Sequence, residues 1–160
     1  MSPNEPISLR PAGPEDEPFL FRVYASVRED ELSVTGWDEA QKLAFLRMQF
    51  HAQSTAYRGR FRSWYDVVVV VDRDAGRLLV ERAGDEIRIG DVGLLPEYRN
   101  RGIGGGLMRD VLDEAARAGL PVRLHVEQFN PAFRLYRRLG FEPIGEDGIY
   151  LHMEWSPPET

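Results

Sequence analysis

Apolar positions along the chain recur at spacing two in some stretches and three to four in others, and the switches between the two outline its elements. Ile7-Ser8-Leu9-Arg10-Pro11 alternates and predicts a first strand. Pro14 then opens an amphipathic helix with Phe19, Leu20, Val23 and Val27 on its apolar face, and a loop at Gly36 follows. A second helix runs from Trp37 or Asp38 to His51, carrying Leu43, Phe45, Leu46, Met48 and Phe50. Tyr65 to Asp72, built on the five valines Val67 to Val71, has the pattern of a strand buried on both faces, with Asp74-Ala75-Gly76 as its hairpin turn. Arg77 to Arg82 and Glu86 to Leu95 supply two further strands, hinged at Ala83-Gly84-Asp85. Ile103, Leu107, Val111 and Ala115, with Met108, Leu112 and Ala116, recur at spacing four and predict a helix to Ala118 that Gly119 caps. Pro121 to Glu127 reads as a strand, about 131–139 as a short helix, and Phe141 to Gly145 with Ile149 to Trp155 as a closing hairpin around Glu146-Asp147-Gly148. The order βααβββαβαββ predicts an α/β domain with a mixed, largely antiparallel sheet flanked by helices. Two middle strands joined by crossover helices would run parallel and splay at their ends.

Composition narrows the class. At 160 residues the chain suits a single domain with a sizeable core. No apolar run approaches the ~20 residues a membrane helix needs. Met1-Ser2-Pro3-Asn4-Glu5 lacks the basic start and apolar stretch of a secretory leader, so a cytoplasmic protein is expected. The absence of cysteine excludes disulfides, thiolate metal sites and an acyl-cysteine intermediate. His51, His125 and His152 have no metal-ligand spacing, so no metal is expected. Net charge is −6, and Lys42 is the sole lysine among 20 basic residues. Acid gathers at Glu15-Asp16-Glu17 and Glu29-Asp30-Glu31. Such a surface argues against nucleic-acid or anionic-membrane partners and suits a cationic, amine-bearing one. For Glu15-Asp16-Glu17, solvated acids in a first helical turn are an equally good reading.

The chemistry concentrates at Arg99-Asn100-Arg101-Gly102-Ile103-Gly104-Gly105-Gly106, between a strand and a helix. A glycine inside a helix costs about 0.8–1 kcal/mol relative to alanine, so four near a helix start call for a reason. A helix N-terminus offers unpaired N–H groups and the positive end of the macrodipole, and bare glycines let a phosphate come close. Arg99 and Arg101 add fixed positive charge. A P-loop would need Gly-Lys-Ser/Thr where Gly105-Gly106-Leu107 stands, and a dinucleotide fingerprint would need a glycine at Leu107. Both fail.

The pattern that fits is Arg/Gln-x-x-Gly-x-Gly/Ala, matched by Arg99 to Gly104 and preceded by Pro96-Glu97-Tyr98. It resembles the acetyl-CoA loop of the GNAT superfamily of N-acetyltransferases, whose backbone amides hold the CoA pyrophosphate. A second match, Asn130 to Phe141, resembles that family's second CoA segment. Locally, Asn130 suits an N-cap, Pro131 the first helical position and Gly140 the C′ position. The resemblance covers roughly 65–155, the CoA-binding core of one N-acetyltransferase domain spanning 1–160, with acceptor-side helices at about 14–54. It implies acetyl-CoA as co-substrate and a small-molecule or peptide amine as acceptor. Within the loop, Gly102 and Gly104 complete the pattern, while Gly105 and Gly106 would permit close backbone or helix–sheet approach.

The resemblance also implies roles. Tyr136 falls where the family places the acid that protonates the departing thiolate, and a neutral phenol suits that task. Leu135 and Leu139 would supply the packing of that short helix. Backbone N–H groups at Val92, Gly93 and Leu94 would polarise the thioester carbonyl, with Gly93 permitting a bulge and Pro96 ending the strand. Some members carry a base on the fourth strand, where Arg88 stands here, with Glu86 and Asp91 nearby. Others, including enzymes that acetylate ribosomal-protein N-termini, carry a glutamate five residues before the asparagine; counting back from Asn130 gives His125. Trp37, Gln49, Gln53, Tyr57 and Trp64 are candidate linings of the acceptor site, built by the two N-terminal helices and the last hairpin. Direct transfer in a ternary complex is the leading reading. A non-catalytic acyl-CoA sensor and a binder of another nucleotide stay open, as do the acceptor and the oligomeric state, a homodimer included.

Overall fold

The computed structural model describes residues 6–60, 63–128, 130 and 132–159. The element order is β1 (Ile7–Pro11), α1 (Glu17–Ser33), α2 (Glu39–Arg60), β2 (Asp66–Val70), β3 (Arg73–Arg82), β4 (Ile87–Leu94), α3 (Ile103–Ala118), β5 (Val122–Glu127), α4 (Ala132–Leu139), β6 (Glu142–Asp147) and β7 (Tyr150–Trp155). The strands form one sheet in the order β1-β2-β3-β4-β5-β7-β6. β4 and β5 pair in parallel, and β1–β2, β2–β3, β5–β7 and β6–β7 pair antiparallel. This is the expected order βααβββαβαββ and the expected mixed sheet.

Two compact units make up the chain. The first holds residues 1–79 and 91–102. Its core gathers Leu20, Tyr24 and Leu32 of α1, Leu46 and Phe50 of α2, Tyr65, and Leu79 of β3. Leu46 and Phe50, four apart, share the buried face of α2, whereas Leu43 and Met48 are 44% and 62% exposed. Asp38 and Gln41 cap α2 reciprocally, the Asp38 carboxylate accepting from Gln41 N–H at 2.8 Å and the Gln41 amide from Asp38 N–H at 3.0 Å. The helix starts within two residues of its expected beginning but runs on to Arg60, beyond His51. Pro14 opens a 3-10 turn, Pro14–Asp16, with α1 starting only at Glu17.

The largest departure lies in the β2–β3 hairpin. The turn is Val71-Asp72, with φ of 48° and 63°, and Asp74, Ala75 and Gly76 lie in β3. Two consecutive left-handed residues between the paired Val70 and Arg73 make a type I′ connection, whose twist matches that of the strands. Gly76 serves packing instead: a Cβ there would overlap Gly93 O and press on Leu94.

The second unit holds residues 80–90 and 103–160. α3 buries Ile103, Leu107, Met108, Val111, Leu112 and Ala115, the face its spacing predicts, and leaves Ala116 exposed. Val122, Leu124 and Val126 of β5 are buried, with Phe141 and Met153 fully enclosed. Burying a large apolar side chain is worth roughly 1.5–3 kcal/mol. The last hairpin turns at Gly148-Ile149 between the paired Asp147 and Tyr150, and β6 is exposed at every position. Met1–Glu5, read above for a leader, and Pro131, read as the first residue of a helix, lie outside the described residues.

Candidate functional site

The chemistry begins at the outer half of β4. Its parallel pairing with β5 runs from Ile87↔Val122 to Ile89↔Leu124, while β4 itself continues to Leu94 and β5 to Glu127. Leu95 N–H donates to Ala75 O at 2.9 Å, and Pro96 leads into a 3-10 turn, Pro96–Tyr98. Gly93 is buried, and a Cβ there would sit 3.2 Å from Val23 and 3.6 Å from Val27. The missing side chain lets α1 approach this part of the strand.

The loop that follows changes backbone handedness twice, at Asn100 (φ 59°) and Gly102 (φ 81°). Asparagine tolerates this region better than most residues, and glycine adopts it without strain. Arg99 braces the loop, donating to Leu94 O at 3.0 Å and to Ser26 Oγ at 3.2 Å. Arg101 donates to Glu97 O at 3.3 Å and lies over the Tyr98 ring at 5.5 Å. α3 begins at the next residue, Ile103, whose side chain is buried, and no acid stands in its first turn. A Cβ at Gly105 would make only ordinary contact with Arg109, and one at Gly106 would meet nothing within 4 Å. Neither glycine is therefore required for close packing, contrary to the expectation. They leave the first turn bare at the positive end of a helix dipole, with the Arg109 guanidinium beside Gly105 and open space at Gly106, a surface suited to a phosphate.

Asn130 caps α4 as expected, its Oδ1 accepting from Ala132 N–H at 2.9 Å. Tyr136 is the buried residue of α4, its ring edge-on to Phe141 at 5.7 Å, and Gly140 follows at φ 104°. The anchoring assigned to Leu135 and Leu139 thus falls on Tyr136, and both leucines are only half-buried. His125 is exposed on β5 and faces its cross-strand partner His152, the rings 4.0 Å apart. Of the remaining acids, Glu86 is occupied on both oxygens, by Arg88 at 3.1 Å and Arg123 at 2.9 Å. Asp91 accepts from Tyr65 OH at 2.7 Å and pairs with Arg77 at 2.6 Å. Burial first, and then the Asp91 charge, push the Tyr65 phenol well above its ordinary range, so it stays a neutral donor.

A cavity of about 230 Å³ opens between α1 and α2, lined by Ser26, Glu29, Leu32, Glu39, Lys42 and Leu46 among others. None of the five expected lining residues borders it. Gln49 accepts from Tyr24 OH at 3.1 Å, Trp64 stacks edge-on to Tyr65, Tyr57 packs on the core, Gln53 is half-buried and Trp37 lies edge-on to Phe45. Among the described residues no cluster of three or more His, Asp or Glu is placed to hold a metal. None of the described helices is long and apolar enough to cross a membrane.

Known proteins place this arrangement. No curated protein sequence matches the chain. Among solved structures, the PaiA N-acetyltransferase of Thermoplasma acidophilum in complex with coenzyme A is 19% identical, with a TM-score of 0.69 over 94% of this chain and 99% of that one. PH1933 of Pyrococcus horikoshii is 20% identical, with a TM-score of 0.69 over 96% and 100%. The ribosomal-protein-S18-alanine N-acetyltransferase of Escherichia coli is 15% identical, with a TM-score of 0.63 over 97% and 96%. At these identities the likeness is one of fold. The model of the acetyltransferase (GNAT) family matches residues 13–141, most of the sequence and both of its glycine-bearing segments, and the chain belongs to that family.

Proposed function

We propose that the protein transfers an acetyl group from acetyl-CoA to a primary amine by direct attack within a ternary complex. The observation that carries this reading is the run from Arg99 to Gly106: a loop of reversed handedness leading into an acid-free, side-chain-bare helix start. Acetyl-CoA brings a thioester whose carbonyl carbon is electrophilic and whose sulfur needs a proton on leaving. The amides of residues 100–105 hold the diphosphate, and the braced Arg99 keeps their loop in shape. Backbone N–H groups of Val92, Gly93 and Leu94 donate to the carbonyl oxygen as it gains charge. The Tyr136 phenol supplies the proton. His125, exposed on β5, receives the proton the amine sheds. With no cysteine in the chain, attack is by the amine itself, with no acyl-cysteine on the way.

The test follows thiol release from acetyl-CoA across a panel of primary amines. Amine-dependent release is expected, with Tyr136→Phe slowing turnover ~100-fold or more while acetyl-CoA affinity is kept. Full turnover in that variant would remove Tyr136 from the acid role. Saturable acetyl-CoA binding without release for any amine would leave a sensor instead.

A further inference from the structure

Asp91 stands on β4 two residues before Gly93, its side chain 22% exposed. Its two oxygens are treated differently. Oδ2 takes both donors, Arg77 Nη2 at 2.6 Å and Tyr65 OH at 2.7 Å, and Oδ1 takes none among the described residues. Arg77 is 3% exposed and locked in turn. Its Nη1 donates to Leu20 O at 3.4 Å, and its guanidinium lies 5.3 Å from the Tyr24 ring centre and 4.9 Å from that of Tyr65.

A buried ion pair of this kind is weak evidence for stability, because desolvating both charges offsets most of their attraction. What it does achieve is orientation. With one oxygen clamped by two donors, Arg77 on β3 and Tyr65 from the residue just before β2, the carboxylate is held against rotation, and the lone pairs of Oδ1 keep one direction. The ring faces of Tyr24 and Tyr65 balance part of the arginine charge, so the carboxylate retains its capacity to accept a second cation. The other acid of β4's surroundings, Glu86, already carries a guanidinium on each of its oxygens.

We infer that Asp91 Oδ1 is the docking point for a cationic nitrogen of the acceptor, held in position by Arg77 and Tyr65. The inference rests on the acetyltransferase reading above and deepens it: the acceptors are amines that carry charge at neutral pH, recognised by a charge-assisted hydrogen bond, and the docked nitrogen gives up one proton to become the free amine before its lone pair attacks the thioester. Asp91 is then a specificity-determining residue, and Arg77 and Tyr65 are positioning residues.

The experiment measures steady-state thiol release from acetyl-CoA with phenethylamine, lysine and an alanyl tripeptide, for the wild-type chain, Asp91→Asn and Tyr65→Phe. Asp91→Asn keeps the side-chain size and an oxygen for Arg77. It is expected to raise KM for the amines about 10- to 100-fold, the loss of one hydrogen bond to a charged group, with the acetyl-CoA dissociation constant unchanged. Tyr65→Phe removes one of the two clamps and is expected to raise the amine KM about threefold, and it carries the test if Asp91→Asn does not fold. An unchanged amine KM in both variants overturns the inference and leaves the acetyltransferase reading intact. A parallel loss of amine and acetyl-CoA affinity, with a lowered Tm, assigns Asp91 a structural role only and also overturns it. No thiol release by the wild-type chain with any probe overturns the acetyltransferase reading and this inference together.

Discussion

Asp16 belongs to a run of three acids in the sequence, yet the fold treats it unlike its neighbours. Glu15 and Glu17 are exposed, while Asp16 is buried, bonded to both Nη atoms of Arg10 at 2.9 Å and to Gly13 N–H at 2.8 Å. The solvated-acid reading of this residue is therefore replaced by a structural one. The Arg10 hydrogen bonds, joined by that of Gly13, hold the Asp16 carboxyl below the ordinary carboxylate range. The unfolded chain then takes up the proton more readily, so the stabilisation is present above about pH 4 and is lost as pH falls through the lower folded value. Asp16→Asn is expected to lower Tm at neutral pH, and the gap to wild type should narrow as the pH falls below the ordinary carboxylate range; a gap constant with pH would refute the ion-pair account. Neither this pair nor Arg77–Asp91 was legible in the sequence. Partners six or fourteen positions apart leave no periodic trace, and only the meeting of separate elements selects them.

Elements were far more legible than side-chain partners. Spacing four found the buried face of α3, and the Asn130 cap and Gly140 end of α4 followed from local chemistry. The β2–β3 turn was missed because Asp-Ala-Gly is a strong turn signal, whereas Val71-Asp72 is a poor one. Here the strand pairing imposes left-handed backbone on Val71, which resists it at about 1–2 kcal/mol, and on Asp72, which tolerates it better. The double variant Val71→Asn, Asp72→Gly installs the residues a type I′ turn prefers. It is expected to stabilise the protein by about 1 kcal/mol or more in denaturant unfolding, with an unchanged m-value. Destabilisation would show that the Val71 side chain, 51% exposed, matters more than its backbone.

On the scale of the whole molecule, the succession of elements and a parallel pair in the middle were legible from the alternation of helix and strand patterns, because a crossover helix returns the next strand in the same direction, whereas the order of strands across the sheet was not. The point where that pairing stops was not, since nothing in Gly90 or His125 marks it. Acetyl-CoA as co-substrate predicts a thermal shift. At one hundred times its dissociation constant the ligand should add about 2.7 kcal/mol, a rise of roughly 5–10 °C for a chain near this length, and ATP should add nothing. An equal shift with ATP would return the loop to a general phosphate binder. The exposed last-ranked strand carries a different consequence. An open sheet edge is a template on which further copies of a chain can polymerise, and β6 sits at such an edge. It presents Pro143, which has no N–H to offer, among Glu142, Glu146 and Asp147, which would repel an identical neighbour. The strand that finishes the sheet is thereby guarded against fibre growth, and replacing those acids with apolar residues would remove the guard before it touched the chemistry.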